Sequence, residues 1–207
     1  TLQGIATFTN IDVGFAGSGF RFVFSANSMV GVQSKAFQIT AGQVPDSLHV
    51  LCHTGTEIAG TVFRHQPILQ VLDPGGNRMR NHRVSATVQL TSSYPSFLAG
   101  RLSSVPEGDL LAFTDLAVDS AGEGLQLVFE AHGLKSAFSN AITILRGPAI
   151  ALNVDSLKAV RAFETIDASI SLRDQGGNAV SPSKPTSITA TLYTVESRSF
   201  TAECRGL

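Results

Sequence analysis

The feature that most constrains this chain is that it repeats itself at domain length. Phe8-Thr9-Asn10-Ile11-Asp12-Val13 followed by Ala16-Gly17-Ser18-Gly19-Phe20-Arg21-Phe22-Val23-Phe24-Ser25-Ala26 returns as Phe113-Thr114-Asp115-Leu116-Ala117-Val118 followed by Ala121-Gly122-Glu123-Gly124-Leu125-Gln126-Leu127-Val128-Phe129-Glu130-Ala131. The offset is 105 residues, and 9 of the 19 positions from Phe8 to Ala26 are identical. Ile68-Leu69-Gln70-Val71-Leu72-Asp73-Pro74-Gly75-Gly76-Asn77 returns as Ser169-Ile170-Ser171-Leu172-Arg173-Asp174-Gln175-Gly176-Gly177-Asn178 at an offset of 101, and Ser85–Leu90 returns as Ser187–Leu192 at 102. Drift of this size is what short insertions in loops produce. A period of about 100 residues means a string of domains, not a solenoid of short units. The expected organisation is one complete repeat over residues 45–147. Residues 1–44 are the C-terminal half of a preceding repeat, and residues 148–207 the N-terminal half of a following one.

Within the complete repeat, period-two alternation predicts seven short strands. They are Ser47–Leu51, Pro67–Leu72, Val84–Leu90, a weaker Phe97–Leu102, Leu110–Phe113, Leu125–Ala131 and Ala141–Leu145. Leu69 and Val71 share one face; Val84, Ala86, Val88 and Leu90 share another; Leu125, Leu127 and Phe129 a third. No segment reads as a helix. Seven strands with turn signals in about 100 residues is the pattern of an immunoglobulin-like sandwich, so the expected class is all-β, as tandem immunoglobulin-like β-sandwiches. Asp73-Pro74-Gly75-Gly76-Asn77 and Asp174-Gln175-Gly176-Gly177-Asn178 read as turns, with Asp capping the backbone beyond it and Gly and Asn supplying positive φ. Ala16-Gly17-Ser18-Gly19 and Ala121-Gly122-Glu123-Gly124 are placed just before a strand, as sites of tight turning or close packing.

These residues resemble a known family. Ala-Thr-Phe-Thr-Asn-Ile-Asp-Val, then Ala-Gly-Ser-Gly-Phe, with Asp-x-Gly-Gly-Asn after the second strand, is similar to the tandem immunoglobulin-like repeats of very large cell-surface proteins. Such repeats occur in invasin-related bacterial adhesins and in surface proteins of algae and other protists. The resemblance covers essentially the whole chain. It implies an extracellular or cell-surface location and a non-enzymatic structural or adhesive segment: a rod, stalk or filament component. Two departures stand out: Leu110-Leu111-Ala112-Phe113 replaces Gly-x-Ala-Thr-Phe, and Phe200-Thr201-Ala202-Glu203-Cys204 replaces a Leu-x-Gly-type turn. An intracellular filamin-like scaffold, whose sandwich edges accept partner strands, is the alternative. An accessory domain of a large enzyme is a third reading.

Composition narrows the partners. Formal net charge is −1 and the basic residues are scattered, so there is no stripe to grip nucleic acid. No apolar run approaches a membrane span, and no signal peptide opens the chain. The expected partners are neighbouring repeats of the same chain, with other chains of a filament or surface glycans as further candidates. Trp is absent, which removes the usual core Trp of antibody-type domains. Cys52 and Cys204 occupy non-equivalent positions in different repeats, so each is a lone thiol or pairs outside this segment.

The glycine clusters lack the Lys-Ser/Thr ending of a phosphate-binding loop, and Ser18 is replaced by Glu123 in the next repeat, which argues against a nucleophile. No catalytic residue and no cofactor is expected. Calcium at Asp73 and Asp174 is the alternative to turn capping, against which stands the lack of a dense carboxylate cluster. His49, His53, His65, His82 and His132 show no zinc spacing; His49 and His53 would sit about 13 Å apart along a strand. The candidate contact surface is the basic loop of Arg78, Arg80, His82 and Arg83, with Ile68 and Leu72 as apolar residues on an outward face.

Overall fold

The computed structural model describes residues 4–154, 157, 160–161, 164–181, 187–193 and 199–204. The described secondary structure is all β, and no described helix is long and apolar enough to cross a membrane.

In residues 45–147 two sheets close on a common core. The first runs Pro106–Glu107, Leu110–Ala112, Ile68–Leu72, Ser47–Cys52, antiparallel throughout. The second runs Ser103–Ser104, Ala86–Thr91, Gly122–Glu130, Ile142–Leu145, Thr56–Ile58, with Ala137–Phe138 also paired to Gly122–Glu130. Its last pair, Ile142–Leu145 with Thr56–Ile58, is parallel. Period-two alternation dictates what meets in the middle. Leu48, Val50, Leu69, Val71 and Leu111 come from one sheet; Ala86, Val88, Leu125, Leu127, Phe129, Ile142 and Ile144 come from the other. Phe113 tilts against Phe129 with ring centroids 5.5 Å apart, a favourable aromatic geometry.

The expected strands form, with one exception. Phe97–Leu102 divides into Leu98–Ala99, paired with Ala117–Val118, and the separate Ser103–Ser104. Gly100 breaks it, with φ +105 and a backbone so close to the Asp115 carbonyl that a Cβ would collide with it. Thr56–Ile58, Pro106–Glu107, Ala117–Val118 and Ala137–Phe138 are additional strands.

The glycine clusters lie inside strands rather than before them, which corrects the placement expected from sequence. Gly17–Phe20 pairs with Phe37–Ile39, and Gly122–Glu130 pairs with Ile142–Leu145. Both pairs slip register at the same place: Gly17↔Ile39 then Phe20↔Phe37, and Gly122↔Ile144 then Leu125↔Ile142. The extra residue of each bulge sits by a glycine with positive φ, Gly19 at +83 and Gly124 at +74, the conformation such bulges ask of glycine. Ser34 and Ser139 lock the two hairpins alike. Each hydroxyl accepts a backbone N–H (Phe22 and Leu127, both 2.9 Å) and donates to the next carbonyl (Lys35 and Asn140).

The same parallel holds after residue 148. Ala151–Val154 pairs with Ile170–Arg173, Leu152 opposite Leu172, as Leu48 lies opposite Val71 in Ser47–Cys52 with Ile68–Leu72. The isolated bridges Leu72↔Arg78 and Arg173↔Ala179 close equivalent turns. Ile188–Tyr193 pairs antiparallel with Ser199–Cys204, so the segment containing Phe200–Cys204 is a strand. The Cys204 side chain lies outside the described residues.

Candidate functional site

The basic loop leaves the first sheet after the Asp73–Asn77 turn and reaches Ala86. Structure brings three of its four residues onto one acidic residue, Asp109. The Arg78 and Arg80 guanidinium groups lie 3.6 and 3.9 Å from the Asp109 carboxylate. The Asn81 N–H donates to it at 3.2 Å, and His82 Nε2 lies 3.3 Å from the Asp109 carbonyl oxygen. Asn81 adopts φ 55 to make this approach; Asn tolerates that region better than most residues. The ion pairs are long and exposed, so they are weak, but they offset part of the loop's positive charge. Arg83 is exposed. His82 Nδ1 is enclosed and has no hydrogen-bond partner among the described residues.

Ile68 and Leu72 are half-buried rather than fully outward. Leu72 bridges to Arg78, so it belongs with the basic loop; Ile68 lies at the other end of the strand, opposite Ala112. The six candidate residues therefore do not form one patch. The loop lines one wall of an open cleft of about 1110 Å³. Ala16, Gly17 and the connecting stretch Gln38–Gln43 line the same cleft.

The two aspartates of the repeated turns are buried and fully engaged. Asp73 Oδ1 accepts the Asn77 N–H at 2.8 Å, and Oδ2 accepts the Gly42 N–H at 2.6 Å. The Asn77 side-chain amide lies 3.1 Å from both oxygens. The Gly42 N–H is the chief reason Asp73 is held below the usual carboxylate value; the Asn77 N–H adds to it, against an opposing push from burial. Asp174 repeats the pattern with Asn178 N–H at 2.8 Å and Gly147 N–H at 2.9 Å. Burial pushes Asp174 up, and the N–H groups of Gly147 and Asn178 with the Asn178 amide outweigh it, so its pKa is lowered. Positive φ is supplied by the second glycine alone, Gly76 at +78 and Gly177 at +84.

Among the described residues no three His, Cys, Asp or Glu side chains gather as a metal-binding group. His53 Nδ1 accepts the Asn140 N–H at 3.1 Å, and Cys52 is a half-buried free thiol. Two polar links escape a sequence reading. Buried Glu57 accepts the N–H groups of Arg64 and His65. Gln66 donates to the carbonyls of Phe63 and Leu116 and accepts the Leu116 N–H. Both join segments that lack any shared period, so no pattern in the sequence could have found them.

No family model and no curated protein matches the chain. Solved structures similar to it include a glycosyl hydrolase family 2 member from Bacteroides cellulosilyticus (13% identity, TM-score 0.41), covering 58% of this chain and 16% of that one. A second is the Escherichia coli adhesin FdeC (19% identity, TM-score 0.42), covering 79% and 52%. A third is domains 4–9 of the surface layer protein SbsC (12% identity, TM-score 0.33), covering 86% and 29%. The chain thus spans about half or less of the length of each.

Proposed function

We propose that the chain is a non-enzymatic structural or adhesive segment of a long extracellular protein, a rod, stalk or surface filament component. It would be built of tandem immunoglobulin-like sandwiches: one complete unit over residues 45–147, with parts of its neighbours over 1–44 and 148–207. The observation that carries this reading is the recurrence of local structure along the chain: the same bulged hairpin, with the same serine lock, occurs at Gly17–Ile39 and Gly122–Ile144. A chain that repeats whole sandwiches is suited to spanning distance and transmitting force, because each unit is rigid and each connection short.

Buried Glu57, Asp73, Ser104, Ser139 and Asp174 bond backbone groups of strands, turns and connections, which supports a mechanical rather than a chemical role. The cleft lined by Arg78, Arg80, His82 and Arg83 is the proposed contact surface for an acidic partner or glycan. Antibodies to residues 45–147 applied to intact cells of the source organism test the location. Surface labelling is expected; labelling only after permeabilisation would favour an intracellular scaffold instead.

A further inference from the structure

The two Asp-x-Gly-Gly-Asn turns reach beyond their own hairpins. Asn77 Nδ2 donates to the Gly14 carbonyl at 2.8 Å, and its Oδ1 accepts the Ala16 N–H at 2.8 Å. Asn178 Nδ2 donates to the Asp119 carbonyl at 2.7 Å, and its Oδ1 accepts the Ala121 N–H at 2.9 Å. The connecting chain is tied in as well, through Gly42 N–H to Asp73 and Gly147 N–H to Asp174. Positions 14, 16 and 42 correspond to 119, 121 and 147 at an offset of 105; 73 and 77 correspond to 174 and 178 at 101. The junction therefore recurs bond for bond.

The glycines divide the labour. Gly76 and Gly177 have positive φ and open space around them, so they serve the turn. Gly75 and Gly176 have ordinary φ, but a Cβ there would collide with the carbonyl of Gly14 or Asp119. Close approach of the preceding segment is what requires glycine at those two positions.

We infer that the Asp-x-Gly-Gly-Asn turn is a docking surface for another copy of the same sequence unit, holding successive units in one fixed orientation without a metal ion. The inference rests on the tandem-unit reading above. The partner surface is main chain: a carbonyl and, two residues on, an N–H ahead of the bulged strand. Two of the three side chains there differ, Gly14-Phe15-Ala16 against Asp119-Ser120-Ala121, so recognition tolerates divergence between units. The carboxylates are already occupied where calcium would need them: Asp73 accepts the Gly42 and Asn77 N–H groups and the Asn77 amide. Residues 45–147 carry the turn at one junction and the docked loop Asp119–Gly122 at the other. Contacts of that head-to-tail kind propagate in one direction without closing a pair.

Distance measurements between spin labels on the full chain test this, with Cys52 and Cys204 replaced by Ser. Labels at exposed Glu107 and Asn153 span the second junction; labels at exposed Lys35 and Glu107 span the first. Both distance distributions should be narrow and unchanged by EDTA. Gly176→Ala should broaden only the second, at least twofold, and Gly75→Ala only the first, while near-ultraviolet circular dichroism of the central fold stays the same. Asn178→Ala, which removes both main-chain contacts without adding an atom, should also broaden the second. Broad distributions in the unsubstituted chain, no response to these substitutions, or broadening on EDTA would overturn the inference. Flexible junctions would leave a non-enzymatic surface segment standing. An intracellular location with narrow distances would remove that function and spare the junction.

Discussion

Residues 4–44 and 45–147 contain the same bulged hairpin in two different surroundings. Phe8 tilts against Phe24 with centroids 5.5 Å apart, as Phe113 does against Phe129 at 5.5 Å. Yet Phe8 is 63% exposed and Phe113 3%; Ile11 is 49% exposed and its counterpart Leu116 0%. Phe20, Phe22 and Phe24 are only half-buried, whereas Leu125, Leu127 and Phe129 are fully buried. The described residues of the leading segment include no counterpart of the Ile68–Leu72 sheet. Hairpin geometry is therefore local, set by the glycine bulge and the serine lock, while burial is supplied by the opposite sheet.

The two hairpins should part most widely at the aromatic pair. Phe129→Ala should cost about 3–5 kcal/mol, by transfer and cavity terms, read as a lower urea midpoint for the central transition. Phe24→Ala, at a half-exposed site, should leave that transition in place. A similar loss from both would erase the distinction. Next comes the serine lock. Ser139→Ala strands a buried Leu127 N–H and should cost about 1–3 kcal/mol; Ser34→Ala should do less, since water can reach Phe22 N–H.

At the bulge the two hairpins should instead behave alike. Neither Gly19 nor Gly124 has an atom near its missing Cβ, so Gly→Ala costs only the positive-φ strain, about 1–2 kcal/mol, and the loss should be similar in both. Amide hydrogen exchange of each hairpin would show it, and a large difference would mean that the bulge is held by its surroundings.

The smallest effect is that of pH. Asp73 and Asp174 have lowered pKa values in the folded chain. Their contribution is therefore present above the usual carboxylate value near 3.8 and is lost as pH falls below it towards the folded values. Thermal unfolding followed from pH 7 to pH 2 should show the loss, and Asp73→Asn should reduce it. A loss centred near neutral pH would point to other groups.

Strands long enough to show a period were legible from sequence. In Ser47–Cys52 and Gly122–Glu130 the buried residues recur at every second position, Leu48 and Val50 in one, Leu125, Leu127 and Phe129 in the other. Thr56–Ile58 and Pro106–Glu107 are too short to carry a period, and the first is defined only by its parallel pairing with Ile142–Leu145, far along the chain. The basic loop was legible as composition, but Asp109, which gathers it, lies on a different turn of the chain. The Asp-x-Gly-Gly-Asn segments were legible as turns. Their bonds to Gly14 and Ala16, and to Asp119 and Ala121, were not, because they are made to main-chain carbonyl and N–H groups, which no side-chain pattern marks.

Whether residues 45–147 are one unit of a tandem array is decided most simply by expressing them alone and following their unfolding. A single cooperative transition is expected, with a dispersed amide spectrum that overlays the same residues in the full chain. An unfolded or non-cooperative fragment would mean that these residues are not a unit.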